Sequence, residues 1–113
     1  FGHDLGDIVL KDISKIIQSS IRTTDYAARW GGEEFLVLLP ETSLDEGFQI
    51  AELIRQNVEL YKNSALDKIT TVSIGVSQFE VNKDTAETFV KNVDLAMYEA
   101  KQTGKNKVIK YEK

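Results

Sequence analysis

The sequence predicts an α+β fold in which amphipathic helices cover a sheet of short strands. Three segments carry apolar residues at helical spacing, and four shorter segments have the alternation or β-branched content of strands. Their order is helix, strand, strand, helix, strand, helix, strand. Because each helix has one apolar face, the three helices need a sheet to cover, and 113 residues suffice for one core.

The absence of cysteine and the net negative charge exclude several kinds of site and of binding partner. The chain has no cysteine, which excludes disulfides and thiolate metal sites and is compatible with a reducing cytoplasm. A net charge of −4 without a basic cluster argues against binding a nucleic-acid polymer, but it leaves open a single nucleotide carried with its metal. No apolar run is long enough to span a bilayer, and no signal-peptide pattern is present.

The first helix is predicted to follow a loop over residues 1–7 and to run to about Arg22. Asp4 or Asp7 is the expected N-cap. The strand that would precede this helix in a βαββαβ sandwich is not in the chain, so we expect one central strand to be missing. The start at Phe1, with Met97 as the only methionine, indicates a piece of a longer protein.

A hairpin is predicted next, from strands over residues 26–30 and 35–39. The two glycines between them, Gly31 and Gly32, allow the positive φ angles of a tight turn. Glu33 and Glu34 then stand at the tip, where paired carboxylates beside backbone N–H groups suit a magnesium–nucleotide site. The alternative is a solvent-exposed hairpin whose acidic residues serve solubility.

The remaining elements follow from caps and periodicity. Pro40 ends the second strand, and Ser43 with Glu46 forms a capping box for a helix that reaches about residue 61. After a loop over residues 63–68 comes a strand over residues 71–77, in which Gly75 indicates a bulge or a close backbone approach. A third helix over about residues 89–100 is followed by Gly104 as its C′ residue. A short strand over residues 108–111 ends the chain.

Four motifs together resemble the GGDEF family of diguanylate cyclases: FGHDLGD at 1–7, RWGGEEF at 29–35, VSIGVS at 72–77 and AKQTGKN at 100–106. The resemblance covers residues 1–113 as a single partial domain, roughly the C-terminal two-thirds of the family's domain. It implies a nucleotidyl-cyclase-like sandwich, a ferredoxin-like palm with a central antiparallel sheet flanked by helices. The domain's N-terminal strand and helix would be absent.

The resemblance also implies an activity. The family condenses two GTP molecules into cyclic di-GMP and two pyrophosphates across a homodimer, with Mg²⁺ or Mn²⁺ as cofactor. A cytoplasmic location is implied, with an upstream sensory domain in the parent protein that could anchor it to the membrane. The family's upstream metal-binding aspartate and guanine-reading asparagine would precede Phe1. We therefore expect the fragment itself to be inactive and its unpaired strand edges to invite a partner chain.

Site residues are carried over by motif. The resemblance implies that Glu33 is a metal ligand that could help deprotonate the 3′-hydroxyl, and that Glu34 is a further catalytic acid. Asp7 would read guanine through N1–H and the exocyclic amine, and the alternative is that it caps a helix. The other implied substrate contacts are His3, near base and ribose, Gly32 in the turn, and Lys101 and Lys105 on the triphosphate.

Arg22 and Asp25 match the family's RxxD product-inhibition site in motif and in their spacing from Gly31. The alternative is an ordinary ion pair at a helix end. The second arginine that often completes this inhibitory site is not found: the aligned stretch offers Gln49 and Leu53, with Arg55 nearby.

Two other functions remain open. A non-catalytic receptor for cyclic di-GMP or GTP would use Arg22 and Asp25 alone. A purely structural dimerisation domain would bind no nucleotide, and it leaves the acids and lysines together unexplained.

Overall fold

The computed structural model describes residues 2–31, 34–61 and 71–112, with the backbone alone described for residues 2–7, 30 and 31. Its helices are α1 (Gly2–Ser20), α2 (Leu44–Leu60) and α3 (Ala86–Gln102). Its strands are β1 (Tyr26–Gly31), β2 (Glu34–Leu38), β3 (Ile74–Val76) and β4 (Val108–Lys110). The order of elements confirms the prediction. Within the described ranges, no helix has both the length and the apolar character to cross a membrane.

Helix α1 differs from the prediction at both ends. It begins at Gly2, so Asp4 and Asp7 lie inside the helix and neither is its N-cap. It ends at Ser20, two residues before Arg22, because the chain turns there: the Asp25 N–H donates to the Arg22 carbonyl at 3.0 Å. The Ser20 hydroxyl also donates to the Ile16 carbonyl at 2.7 Å, a side-chain bond that competes with helix continuation.

The described strands form two separate ladders instead of one continuous antiparallel sheet. Strands β1 and β2 pair antiparallel, whereas β3 and β4 pair parallel. A parallel pair requires a crossover connection, and α3 supplies it between β3 and β4. Strand β3 is shorter than the predicted residues 71–77, since only Ile74–Val76 pair with β4. The loop predicted over residues 63–68 lies outside the described residues.

The core joins both ladders to α1 and α2. Its most buried members are Ile13, Ile17, Ile54 and Val58, which come from the predicted apolar faces of these two helices. Phe35 of β2 and Ile74 of β3 pack against this cluster from the two ladders. The hairpin and the β3–β4 pair are therefore held in place by the same pair of helices.

Helix ends follow the predicted capping chemistry. The Ser43 hydroxyl accepts from the Glu46 N–H at 3.1 Å, and the Ser43 N–H donates to the Glu46 carboxylate at 3.0 Å, which confirms the capping box. Thr85 and Thr88 form an equivalent box on α3 that the sequence analysis missed. Each cap of this kind contributes about 1 kcal/mol to helix stability.

Gly75 allows α3 to lie directly on β3. A Cβ built at this position would overlap the Val93 carbonyl oxygen and the Met97 amide nitrogen, and would stand 3.0 Å from the Ala96 carbonyl carbon. Ala96 and Ala100 line the buried face of α3, so small residues allow the approach from both sides. The close backbone approach predicted at Gly75 is confirmed.

We expect Gly75→Ala to lower the free energy of unfolding by at least about 2 kcal/mol, because the helix backbone must move to admit the methyl group. Urea denaturation measures the difference. Gly47→Ala is the matched control: its Cβ would lie 3.4 Å from Val76 Cγ1, an ordinary contact, and alanine raises helix propensity in α2 by up to about 1 kcal/mol. Equal stability of the two variants would contradict the packing described here.

Candidate active site

The hairpin ends where the sequence analysis places the acidic pair. Pairing runs regularly up to Arg29 opposite Phe35, and then the register shifts so that Gly31 lies opposite Glu34. Trp30 is therefore the extra residue of a bulge-like irregularity beside the tip. Gly32 and Glu33 lie outside the described residues, so their predicted roles stay predictions.

Glu34 faces a groove between β2 and α3. It is half-buried, and the rest of the lining of this groove, of about 810 Å³, comes from α3. Helix α3 contributes apolar side chains, among them Leu95, Met97 and Tyr98, and the charged side chains of Glu87, Lys91, Asp94 and Lys101. This volume is within the range of small-molecule sites, about 300–1,000 Å³. The fold thus brings a predicted catalytic carboxylate and a predicted phosphate-binding ammonium to the same cleft, although they are far apart in sequence.

Lys101 and Lys105 both stand at the C-terminal end of α3. Lys101 lies in the last turn, and Lys105 follows the Thr103 cap. Both are exposed, and neither forms an ion pair with another residue in the described part of the chain. Lys105 is not among the residues that line the groove, so the structure groups only Lys101 with Glu34. The helix dipole favours cations at this end, which is an alternative reason for the lysines.

His3 and Asp7 lie in the first two turns of α1. The structure gives their backbone, while their side chains lie outside what it describes. Whether Asp7 faces a guanine site is therefore untested by the fold.

The donor chemistry at the hairpin fits a hard divalent cation. Carboxylate oxygens are the ligands that Mg²⁺ prefers, and Glu34 supplies them beside the tip. Among the residues whose side chains are described, no three His, Asp or Glu gather into a metal site. A complete site would need ligands beyond these residues, with Glu33 as the predicted one in this chain.

Arg22 and Asp25 form an ion pair that is held by three hydrogen bonds. The guanidinium donates through Nε to Asp25 Oδ2 and through Nη2 to Oδ1, both at 3.0 Å, and the Arg22 N–H donates to Oδ2 at 2.8 Å. The Asp25 side chain is fully buried, whereas that of Arg22 is about half exposed.

The same guanidinium reaches the loop before α2. Its Nη2 contacts the Pro40 carbonyl at 3.3 Å and also donates to the Thr42 hydroxyl. Arg22 thus ties the α1–β1 turn to the β2–α2 loop, two contacts that the sequence analysis missed. The RxxD motif covers only Arg22 to Asp25, so it gives no sign of Pro40 and Thr42, which lie 18 and 20 residues after Arg22.

The contact between Arg22 and Asp25 shifts the pKa values of both side chains. The hydrogen bond from Arg22 holds the pKa of Asp25 below its ordinary value, and burial opposes that effect only in part. The same hydrogen bond raises the pKa of Arg22. Both groups are therefore charged at neutral pH.

The candidate residues for the second half of this site make other contacts or none with Arg22 in the part of the chain that the structure describes. Gln49 and Leu53 are both exposed on α2. Arg55 is engaged elsewhere: its Nε donates to Glu52 at 2.7 Å, and its Nη1 lies 3.5 Å from a Glu59 carboxylate oxygen. Arg55 is therefore held by carboxylates of its own helix.

Comparisons with known proteins agree on one family. The family model described as "Diguanylate cyclase, GGDEF domain" matches residues 1–107. Diguanylate cyclase A of Treponema denticola is 44% identical over 112 residues, which covers 96% of this chain and 30% of that protein. The chain thus spans less than a third of the length of this relative.

Solved structures agree with the fold. The active GGEEF domain of a Vibrio cholerae diguanylate cyclase superimposes with a TM-score of 0.87 at 31% identity, covering 100% of this chain and 72% of that one. The GGDEF domain of DgcB from Caulobacter crescentus, solved in complex with c-di-GMP, gives a TM-score of 0.90 at 27% identity over 100% and 68% of the two chains.

The substitution Asp25→Asn tests how much the Arg22–Asp25 ion pair stabilises the fold, because the effect of the ion pair on stability depends on pH. Because the folded carboxyl has a lowered pKa, its stabilising effect is fully present above the unfolded value of about 3.9 and is lost as pH falls through the folded value. We expect the variant to melt below the native chain at neutral pH, and the gap to shrink below about pH 4.

Thermal denaturation followed by circular dichroism measures this gap. Asp45→Asn is the control, because the Asp45 side chain is 82% exposed in its contact with Lys110 and its removal should matter little. A gap for Asp25→Asn that is unchanged in acid would contradict the assignment.

Proposed function

Since the chain belongs to the GGDEF family of diguanylate cyclases, we propose that in its parent protein it condenses two GTP molecules into cyclic di-GMP and two pyrophosphates. The observation that carries the proposal is that Glu34, next to the acidic tip, and Lys101 of α3 line the same groove. The groove carries charges of both signs, because α3 adds Glu87, Lys91 and Asp94 to its lining. A metal bound to carboxylates there would partly neutralise an anionic substrate held by the lysines.

The reaction sets the task of each side chain. The 3′-oxygen of one GTP attacks the α-phosphorus of the other, a new ester bond forms, and the bond to the pyrophosphate oxygen breaks. The hydroxyl proton passes to a base, and Glu33 is the candidate. Lys101 and Lys105 would hold the departing phosphates, where cations stabilise the charge that accumulates on leaving oxygens.

Glu33 would hold Mg²⁺ or Mn²⁺, and when bound the metal would withdraw charge from the phosphate oxygens. Glu34 would add a further carboxylate to the same wall of the groove. Asp7 would accept hydrogen bonds from N1–H and the exocyclic amine of guanine, which adenine cannot match. His3 and Gly32 would complete the contacts to base, ribose and phosphates.

Two copies of the domain are proposed to act together. Each would carry one GTP, and ring closure needs two attacks, so a two-fold dimer presents each 3′-hydroxyl to the partner's α-phosphate. A cytoplasmic location follows from the proposed substrate, and an upstream domain of the parent protein would control the dimer. That the chain alone is inactive stays a prediction.

Glu33→Ala in the parent protein should lower cyclic di-GMP formation by about two orders of magnitude or more, as expected when a group that stabilises transition-state charge is removed. Nucleotide chromatography after incubation with GTP and Mg²⁺ measures the product. Glu41→Ala, which removes an exposed carboxylate from the turn after β2, is the control and should keep full activity. Equal product from both variants would contradict the role of Glu33.

The Arg22–Asp25 pair favours a second candidate, a receptor for cyclic di-GMP without catalysis. Arginine binds guanine or phosphate through two parallel hydrogen bonds, and a carboxylate accepts from a guanine edge. In this chain the guanidinium already uses these donors on Asp25, so a ligand would compete with internal bonds. In the enzyme, the same pair would be the product-inhibition site.

Arg22→Glu separates the two candidates. In an enzyme it should abolish cyclic di-GMP binding and relieve inhibition while turnover persists, whereas in a receptor it should abolish function. Because Arg22 also ties two loops together, Thr42→Val is the control: it removes one internal partner but keeps the charge. Isothermal titration with cyclic di-GMP, alongside the turnover assay, gives both readouts. Unchanged cyclic di-GMP binding by Arg22→Glu would contradict both assignments.

A further inference from the structure

Lys105 stands on a backbone turn that side-chain-bearing residues rarely adopt. After α3, Gly104 has a φ of 120°, and Lys105 and Asn106 follow with φ angles of 61° and 49°. Among residues other than glycine, asparagine is enriched in this left-handed region, whereas lysine has no such preference. Contacts from elsewhere in the fold must therefore hold the turn.

Backbone bonds fix where the turn starts and where it ends. The Lys105 N–H donates to the Ala100 carbonyl at 2.9 Å, the six-to-one bond of a Schellman cap. Beyond the turn, the Lys107 carbonyl accepts from the Ile74 N–H at 3.0 Å, which attaches the chain to β3. Asn106 is the one residue between Lys105 and Lys107, the two residues that make these backbone bonds.

The carboxamide of Asn106 is held at both of its polar atoms by α2. Its Oδ1 accepts from Arg55 Nη1 at 3.2 Å, and its Nδ2 donates to Glu59 Oε2 at 2.8 Å. Arg55 is itself fixed by Glu52, and its side chain is only 16% exposed. Arg55, Glu59 and Asn106 together are named the Asn106 clamp.

The clamp is not itself a phosphate site. Glu52 and Glu59 outnumber the single guanidinium of Arg55, so the cluster carries a net negative charge and disfavours an anion. Lys105 remains exposed, without an ion pair to any residue in the described ranges. The clamp thus restrains the backbone under Lys105 and leaves its ammonium free.

We infer that the Asn106 clamp positions Lys105 for the triphosphate of the substrate. Arg55, Glu59 and Asn106 are positioning residues that act through the Lys105 backbone and do not touch the nucleotide. The inference rests on the proposed function, since that function supplies the anion that Lys105 would meet. It makes α2, through Arg55 and Glu59, part of the support of the phosphate site.

The test is a double-mutant cycle on GTP affinity, measured by isothermal titration of this chain with GTP and Mg²⁺. Lys105→Ala should weaken binding by about tenfold, the loss expected for one charge-assisted hydrogen bond. Asn106→Gly removes the clamp but keeps a residue that accepts the left-handed conformation, and it should weaken binding by a similar factor. The double variant should bind no more weakly than Lys105→Ala alone.

Two further measurements separate positioning from general destabilisation. Hydrogen exchange at the Lys105 amide should accelerate in Asn106→Gly while the melting temperature stays close to that of the native chain. Asn82→Gly, the matched change at an exposed turn residue, should alter neither affinity nor exchange at Lys105.

The outcomes distinguish the inference from its premise. If Lys105→Ala weakens binding but Asn106→Gly does not, or if the two losses add in the double variant, the positioning role is overturned while phosphate binding by Lys105 stands. If Lys105→Ala binds GTP as the native chain does, the role of Lys105 in the proposed function fails, and positioning fails with it.

Discussion

The contact of the α3 backbone with Gly75 is the constraint on which the site geometry depends. Helix α3 forms one wall of the groove with Lys101, and its C-terminal turn carries Lys105. Since α3 lies directly on β3 at a position without a side chain, its distance from the sheet is set by backbone and not by adjustable side chains. The opposite wall, with Glu34, is attached through β2 to the core of α1 and α2. The width of the groove is thus set by two rigid attachments.

Charges of both signs line the groove. Glu34 lies on the hairpin wall, and Glu87, Lys91, Asp94 and Lys101 lie on the helix wall. Within the described residues, neither Glu34 nor Lys101 forms an ion pair. At Arg22 and Asp25 the opposite holds, because the two charges already neutralise each other at 3.0 Å. A ligand at Arg22 and Asp25 must therefore exchange bonds that the fold has already made, whereas the charged side chains Glu34 and Lys101 of the groove have no such ion pair to break within the described residues.

Local chemistry explains what the sequence could predict. Capping at Ser43, the C′ position of Gly104 with its positive φ and the close approach at Gly75 each follow from the residue and its immediate neighbours, and the structure confirms all three. The start of α1 was predicted wrongly, since an aspartate near the beginning of a helix is favoured in its first turn as well as at its N-cap. Of the site, the sequence predicts the residue types. It does not predict that Arg22 reaches Thr42, because that contact depends on tertiary packing.

The register shift at Trp30 sets the number of residues that connect the two strands of the hairpin. If the four regular pairs from Tyr26↔Leu38 to Arg29↔Phe35 continued, Trp30 would lie opposite Glu34 and three residues would connect the strands. In the structure, Gly31 lies opposite Glu34 instead, so two residues connect them. Two-residue connections match the natural twist of paired strands, whereas odd ones need another backbone solution. An insertion between Glu34 and Phe35 would turn Glu34 toward the other face of the ladder, because successive side chains of a strand alternate and Phe35 is held by the core. The spacing between Glu34 and Phe35 is therefore a constraint on the hairpin in addition to the identity of the residues at the acidic tip.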